Sequence, residues 1–448
     1  MTPALVRHVL FPLHERLRGR PTVAHLAQME ASQWWSSGRL TALQWDKLRK
    51  LLAHAYETVP YYRDVFTRLG ARPEDIREAR DLERLPYLTK PIIREHLPRL
   101  MSTRPPGTLL RYTTGGSTGE PLIFYTDRNK EAAANAAKLR ARRWWGIEVG
   151  DRQIDLWGSP IELSKQDRVR ILKDRHLLNF VLLSAFDLTE ASIARYLDVI
   201  RAFRPALLYG YATVFHKVAR FCQERGIEPD VRGLKAVITT SETLHDHQRE
   251  TIAKVFGRPV ANEYGCRDGG FVAHECPFGH LHVAMEHVYL EFLPTAGAPD
   301  GTTEVVITNL DAWGMPFIRY RVGDLATPAA AACPCGRALP LLRDVQGRTN
   351  DMLVSPTGRL LHSLSVVYVL REIPGLGQFK VTQDRVDRLV VEMVTDAAFD
   401  PASEDVIRRR LVETMGAPVH VDLIRRDQIQ PEASGKYRWV VSRVEHPV

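Results

Sequence analysis

The sequence predicts an α/β protein: a large N-terminal domain of β-sheets flanked by helices, then a small α+β domain. Three observations predict it. Between residues 153 and 257, strand-like and amphipathic helical stretches alternate, the pattern of a sheet with helices on its faces. From 287 the chain turns β-rich, with "HVYLEFL", "TEVVITNL" and "FIRYRVGDLA". Beyond 347–351 a compact β-β-α-β succession follows, which sets the domain boundary at 1–347 and 348–448.

The elements follow in order. Apolar positions at Leu40, Leu43, Leu48, Leu51, Leu52 and Ala55 predict one helix over 23–57, broken at Pro60. The Pro-punctuated 82–98 ("LERLPYLTKPIIREHLP") is expected to wrap over the surface. A strand-like run, Leu122–Tyr125, precedes a helix over 129–145. Strands are expected at "QIDLWG", "PALLYGY" and "LKAVITT", and helices at "ASIARYLDVIRAF", "TVFHKVARFCQERG" and "HDHQRETIAKVFG". The last segment contributes strands "QFKVTQ", "RLVVEMVT" and "PVHVDLI" and a helix around 402–415.

Composition narrows the class. The chain has 448 residues, 44% hydrophobic and 25% charged, ordinary for a globular protein and long enough for two or more domains. No apolar run approaches the roughly 20 residues of a membrane span. Arg7, His8 and His14 interrupt the N-terminal apolar patch, so no signal peptide is expected and the protein is placed in the cytoplasm. The net charge of +8 suits an anionic ligand such as a nucleotide or coenzyme A. Nucleic-acid binding is not expected, because basic residues are scattered and no zinc-finger or RNA-binding signature occurs. The clusters Arg140, Arg142, Arg143 and Arg408–Arg410 read as solvated helix faces. Cys222, Cys266, Cys276, Cys333 and Cys335 form an odd set, better suited to a metal site plus spare thiols than to disulfides. Cys222 and Cys266 are taken as packing residues.

The stretch "YTTGGSTGEP" at 112–121 admits two readings. Glycines and hydroxyls between apolar runs make an ordinary turn. The same composition, with unshielded main-chain N–H groups, also makes a phosphate cradle. It is not a Walker A loop, since no Gly-Lys-Ser/Thr follows.

Further polar stretches follow it: T-S-E-T (240–243), N-E-Y-G-C-R-D (262–268), R-Y-R-V-G-D (319–324), G-R-T-N-D (347–351) and S-G-K (434–436). In this order and spacing they resemble the adenylate-forming superfamily, in particular the phenylacetate–CoA ligase branch and its CapK-like relatives from capsular polysaccharide loci. The resemblance runs from "KLLAHAYETVPYYRDVF" to the terminal lysine motif. It implies a mobile C-terminal lid domain and makes the 112–121 stretch a cradle. Thr114, Gly115, Gly116, Ser117, Thr118 and Gly119 would hold the ATP β/γ-phosphates. Ser241, Glu242 and Thr243 would line the adenine pocket, and Tyr264-Gly265 would stack near adenine. Asp268 would help hold Mg²⁺, one methylene shorter than the superfamily's usual Glu. Asp324 would accept both ribose hydroxyls, Arg348 would contact ribose or phosphate, and Asp351 would sit near the interdomain pivot. Lys436 would bridge the carboxylate and α-phosphate. Glu120 stands where many members carry lysine.

These types suit the chemistry. A carboxylate attacking an α-phosphate brings anions together, so catalysis rests on positioning and positive charge. A lysine on a flexible stem suits arrival with a lid.

A second constellation joins "CPFGHLH" (Cys276, His280, His282) to "CPCG" (Cys333, Cys335). Two short clusters about fifty residues apart can close a tetrahedral Cys₃His zinc site with no open position, hence structural. The resemblance favours His282 as fourth ligand, with His280 the alternative. Tyr209, Tyr211, Trp144, Trp145 and Trp157 fit either an acyl pocket or the core. Glu286 and His287 receive no role.

The leading expectation is ATP-dependent activation of a carboxylic acid as acyl-AMP, with pyrophosphate released, then transfer to coenzyme A. Alternatives are an AMP-forming amide or ester ligase with an amine or sugar acceptor, and a non-catalytic nucleotide-binding protein. A homodimer is compatible with the chain.

Overall fold

The computed structural model describes residues 1–113, 122–157, 168–185, 189–295, 301–348, 352–358, 360–362, 366–367, 369–370, 372–430 and 438–444. It comprises two compact units. The first is Met1–Glu291 with Val306–Val322 and Ala329–Asp344, and the second is Phe292–Val305 with Gly323–Pro328 and Val345–Val448.

Consecutive helical runs Pro3–Leu5, Val6–Leu10 and Phe11–Leu17 open the chain. Helices α1 (Thr22–Ser32) and α2 (Ser37–Thr58) replace the single helix expected over 23–57. The break comes where Gln33 leaves the helix and its Oε1 accepts the Trp144 Nε1–H at 2.8 Å. Pro60 then opens a further helix, α3 (Pro60–Leu69), at the position where a missing N–H costs nothing. The 82–98 segment has an exposed side, with Pro86, Pro91 and Pro98 exposed, and an inner side. Leu82, Leu85, Leu88 and Ile93 are buried, and Leu88 forms a parallel bridge with Tyr320 before α4 (Lys90–Leu100).

Strands β1 (Leu110–Thr113) and β2 (Ile123–Thr126) pair antiparallel, with Thr113 opposite Ile123. Helix α5 (Arg128–Arg143) follows, capped by Asp127, whose Oδ1 accepts the Lys130 N–H at 2.9 Å. The alternating region then lays down β3 (Gln153–Trp157), α6 (Arg168–Leu177), β4 (Phe180–Ser184), α7 (Glu190–Phe203), β5 (Leu207–Gly210), α8 (Ala212–Glu224), β6 (Ala236–Thr240), α9 (Asp246–Phe256) and β7 (Val260–Cys266). After these come β8 (Gly270–Glu275), β9 (Leu281–Val283), β10 (Val288–Pro294), β11 (Thr303–Asn309), β12 (Tyr320–Ala329) and β13 (Leu341–Arg348).

Among the described residues these strands make an 11-stranded sheet of order β10-β11-β12-β13-β9-β8-β7-β6-β5-β3-β4. The run β4-β3-β5-β6-β7 is parallel, and β7-β8-β9 is antiparallel. Every residue of β6 is buried, Thr239 and Thr240 included, as expected of a parallel strand covered on both faces. Leu208, Phe215, Val237, Ile252 and Phe256 are core residues contributed by β5, β6, α8 and α9. Each such burial contributes roughly 1.5–3 kcal/mol.

In the second unit β14 (Met352–Val354) and β15 (Leu360–His362) form a hairpin. Strands β16 (Leu376–Arg385), β17 (Arg388–Thr395), β18 (His420–Arg425) and β19 (Val440–Ser442) form a sheet of order β18-β17-β16-β19. Burial alternates along β16 and β17, so one face packs Phe379, Val381, Val391 and Met393 with Ile407 and Leu411 of α10 (Ser403–Met415).

The reading of Arg140, Arg142 and Arg143 as a solvated face is corrected for two of the three. Arg140 is 1% exposed and donates to Glu286 Oε1 at 2.6 Å, and Arg142 is buried with its Nη1 on Gln153 Oε1 at 2.8 Å. Glu286 lies 146 residues along the chain, in the turn before β10, and Gln153 opens β3, 11 residues on.

Gly210 permits the closest strand approach in the core. A Cβ there would lie 2.2 Å from the Leu156 carbonyl oxygen on β3, whereas a Cβ at Gly38 in α2 meets nothing within 4 Å. Gly210→Ala is therefore expected to lose about 2 kcal/mol or more by overpacking. Gly38→Ala should be neutral or gain up to about 1 kcal/mol. Urea midpoints of the two variants test the contrast.

Candidate functional site

The polar stretches of the first unit gather around the ends of the parallel strands and the turn between β7 and β8. Ligands in such sheets bind outside the carboxyl ends of the strands. Just past β6, Ser241 takes a left-handed backbone with φ of 66°, uncommon for a side chain that is not glycine. Next to it, Glu242 Oε2 accepts the Thr213 main-chain N–H at 3.0 Å and its hydroxyl at 2.7 Å. That pair ties the T-S-E-T segment to the first turn of α8. Thr243 is half-buried beside them.

Tyr264 and Gly265 lie on β7, where the register with β8 slips between them. Asp268 follows, buried, with its Oδ2 accepting the Tyr320 hydroxyl at 2.6 Å. Its carbonyl accepts Lys130 Nζ at 2.5 Å. Burial pushes the Lys130 ammonium down from its ordinary range, while Asp268, Cys266 and Asp127 pull it up. Arg267 Nη1 donates to the Thr113 carbonyl at 3.1 Å, so the 262–268 segment holds the end of β1 where the glycine-rich stretch begins.

A buried polar network stands behind this turn. Asn309 Nδ2 donates to the Gly269 carbonyl at 2.8 Å and lies 3.2 Å from His287 Nε2. His287 Nδ1 meets Asp311 Oδ2 at 2.8 Å, and Lys47 Nζ donates to Asp311 Oδ1 at 2.7 Å and to the Glu286 carbonyl at 2.6 Å. Gly270 is required here: its φ is 105°, and a Cβ would lie 2.6 Å from Asn309 Nδ2 and 2.7 Å from His287 Nε2. The two residues left without a role thus have one. His287 supports the turn carrying Asp268, and Glu286 receives Arg140 and the Ser32 hydroxyl.

A second charged group surrounds Tyr209, whose hydroxyl donates to Glu263 Oε1 at 2.7 Å. Lys138 Nζ lies 3.8 Å from both that carboxylate and the Tyr209 ring centroid. Burial lowers Lys138 to about 8. Trp157 stacks on Tyr211 with centroids 4.5 Å apart and on Tyr209 at 5.7 Å. Trp145 packs with Trp157 against the cluster that contains Tyr209, whereas Trp144 lies beside the Cys/His group. Trp144 sits 5.4 Å from the His282 ring, and Trp145 donates to the Glu275 carbonyl at 2.8 Å.

The cysteine and histidine stretches do converge. Ligand atoms of Cys276, His282, Cys333 and Cys335 all lie within 4.8 Å of one another. Cys276 Sγ is 3.6 Å from Cys333 Sγ, and Cys335 Sγ is 3.3 Å from His282 Nε2. A zinc ion with sulfurs at about 2.3 Å needs tetrahedral S···S edges near 3.8 Å, so the donor set fits that ion. His280 Nδ1 lies 3.2 Å from Cys333 Sγ, at the edge of the same group. The β9–β13 pairing, His282 opposite Leu341, brings the two stretches together.

Some expected site residues are placed only in part. Asp324 is buried on β12, in the second unit, and Arg348 ends β13. Thr114–Gly119, Glu120, Asp351 and Lys436 lie outside the described residues. The sequence reading missed Lys47, Lys130, Lys138, Asn309 and Asp311. The available signal was a polar residue inside an otherwise apolar helix or strand end, as at Asn309 after "EVVIT".

Residues 353–443 match the CapK C-terminal domain family. Protein CapK of Staphylococcus aureus is 22% identical over 91% of this chain and 90% of its own. The phenylacetate-coenzyme A ligase of Thermus thermophilus is 24% identical over 90% of this chain and 96% of its own. In fold, the chain is similar to 2-hydroxyisobutyryl-CoA ligase in its postadenylation state, with a TM-score of 0.72, 21% identity, and coverage of 91% of this chain and 90% of that one.

The buried network fixes an acid limb for stability. Burial alone would raise the Asp311 carboxyl, but the Lys47 ammonium and the His287 hydrogen bond outweigh it and hold the group at about 2. Glu263 is likewise at about 2, burial being outweighed by Lys138 and His274. A carboxyl depressed in the folded state contributes stability that is complete above its unfolded pKa of about 4 and is lost as pH falls towards 2. Asp311→Asn leaves the half-buried Lys47 without its counter-charge and the buried His287 without its carboxylate partner, so a loss of about 3 kcal/mol is expected at pH 7. The gap to the parent should narrow between about pH 5 and pH 2. Urea titrations at several pH values measure both.

Proposed function

We propose that this relative of CapK and the phenylacetate–CoA ligases activates a carboxylic acid with ATP and passes the acyl group to coenzyme A. The observation that carries the reading is the 262–268 segment. Arg267 holds the end of β1, where the glycine-rich stretch begins, and Tyr320 orients the Asp268 carboxylate in the same turn. A phosphate cradle and a magnesium-binding carboxylate have to be held in one frame, and this turn supplies the frame.

In this reading the N–H groups of Thr114–Gly119 take the β/γ-phosphates, and Ser241–Thr243 with Tyr264-Gly265 take adenine. Asp268 would hold Mg²⁺, which supplies positive charge against the phosphates. Asp324 accepts the ribose hydroxyls, while Arg348 and Lys436 bring cations to the α-phosphate and the attacking carboxylate. The acid oxygen forms a bond to phosphorus as pyrophosphate leaves, and the thiolate of coenzyme A then displaces AMP at the acyl carbon. Residues 348–448 act as the moving domain. Cys276, His282, Cys333 and Cys335 hold a structural zinc ion that joins the β8–β9 turn to the loop before β13. The ligand set, three thiolates and one imidazole, leaves no position for substrate. The protein works in the cytoplasm, where ATP and coenzyme A are available.

Pyrophosphate release across a panel of aryl and aliphatic acids, with and without coenzyme A, tests the activity. Acid-dependent release that leads to acyl-CoA supports it. Release followed by transfer only to an added amine or hydroxyl would point to an amide or ester ligase, and binding without turnover to a nucleotide-binding protein. Lys436→Ala should lower acid-dependent release by about 10²–10³, the usual effect of removing one transition-state charge partner. Transfer from synthetic acyl-AMP to coenzyme A should survive in that variant. Elemental analysis should find one zinc per chain, lost on replacing Cys333 and Cys335 by Ser.

A further inference from the structure

Outside the sites above, the exposed apolar residues are unevenly distributed. Of thirteen large apolar side chains exposed among the described residues, nine lie on the first 23 residues and on α6. In the N-terminal helical run, Leu5, Val9, Leu13 and Leu17 recur every fourth residue and are 41–79% exposed, while Val6 and Glu15 face the protein. A helical stretch with this spacing presents one continuous apolar face. On α6, Ile171 and Leu172 are exposed as well. The two segments meet where Asn179 Nδ2, two residues past α6, donates to the Met1 carbonyl at 3.2 Å.

The fully exposed charge on these two segments is basic, although Arg7 lies 3.8 Å from Glu148 and Arg20 3.7 Å from Glu131. Residues 1–20 carry Arg7, Arg16, Arg18 and Arg20 against a single acid, Glu15. Glu15 is buried and paired with Arg20 at 3.1 Å, so it does not offset the exposed Arg16 and Arg18. On α6, Asp174 is paired with Lys173 at 3.2 Å, while Arg175 and His176 are exposed. Apolar side chains on one face with arginines beside them are the arrangement by which a helix lies in the headgroup region of an anionic bilayer. No helix among the described residues is long and apolar enough to cross a membrane, so contact would be with the surface only.

We propose that the N-terminal helical run, with α6 beside it, docks this protein on an anionic membrane surface. The exposed leucines and Val9 enter the acyl boundary, and Arg16, Arg18 and Arg175 meet lipid phosphates. The acid activation then takes place at a bilayer rather than free in solution.

Sedimentation of the full chain with vesicles tests this. Phosphatidylcholine–phosphatidylglycerol vesicles should bind at least about tenfold more protein than phosphatidylcholine alone, and high salt should weaken binding several-fold. Val9→Asp/Leu13→Asp should abolish binding, and Arg16→Glu/Arg18→Glu should remove the preference for anionic lipid. Both variants alter exposed positions, and unchanged circular dichroism and urea midpoints would show that each still folds. Failure of the parent to sediment with anionic vesicles would overturn the proposal, as would undiminished binding by Val9→Asp/Leu13→Asp. A doubled mass in light scattering that this variant returns to monomer, without vesicle binding, would assign the face to a second copy of the chain and overturn it equally.

Discussion

Asp311 has no contact with solvent to speak of, yet it is ionised, and the first unit is arranged to keep it so. Lys47 comes from α2, His287 from the turn before β10, and Asn129 from the first turn of α5, its Nδ2 donating to the Asp311 carbonyl at 3.1 Å. A buried carboxylate is tolerated only when its charge and lone pairs are met. Satisfying this one therefore fixes where two helices and two strand ends lie. The geometry of the 266–270 turn follows from it, because the same His287 and Asn309 press on Gly270.

That turn in turn positions the chemistry. With Asn309 on one carbonyl and Lys130 on the next, Asp268 has little choice of direction, and Tyr320 sets its carboxylate. A second ion pair leaves the adjacent residue on the other side: Glu286 receives Arg140 and Ser32. Residues 286 and 287 are therefore a joint between two buried polar groups. The Cys/His set likewise joins distant stretches of chain, with the ligand atoms of Cys276, His282, Cys333 and Cys335 within 4.8 Å of one another.

The elements whose environment is set locally were legible. Apolar runs such as β5, and alternation along β16 and β17, report how many faces of a strand are covered, and neighbouring residues suffice to show it. The β-β-α-β succession after 351 was legible for the same reason. The 23–57 helix was not: its break falls where Gln33 meets Trp144, just past the end of α5. Arg140 and Arg142 were misread as solvated because a charged residue's burial is decided by a partner, and Glu286 is 146 residues away.

By itself, then, the sequence determined the α/β architecture and the ordered set of polar stretches, through patterns only a few residues long. It also placed the cysteines and histidines in two clusters that could meet. Only the tertiary structure decided that His282 closes the four-donor group, that Tyr320 and Lys130 serve Asp268, and that Lys47, His287 and Asp311 share a buried charge. The reason is physical. Apolar burial is non-directional and leaves its mark on nearest neighbours along the chain, whereas a buried charge or a ligand set is satisfied only at a few ångströms, by groups the fold must first bring together.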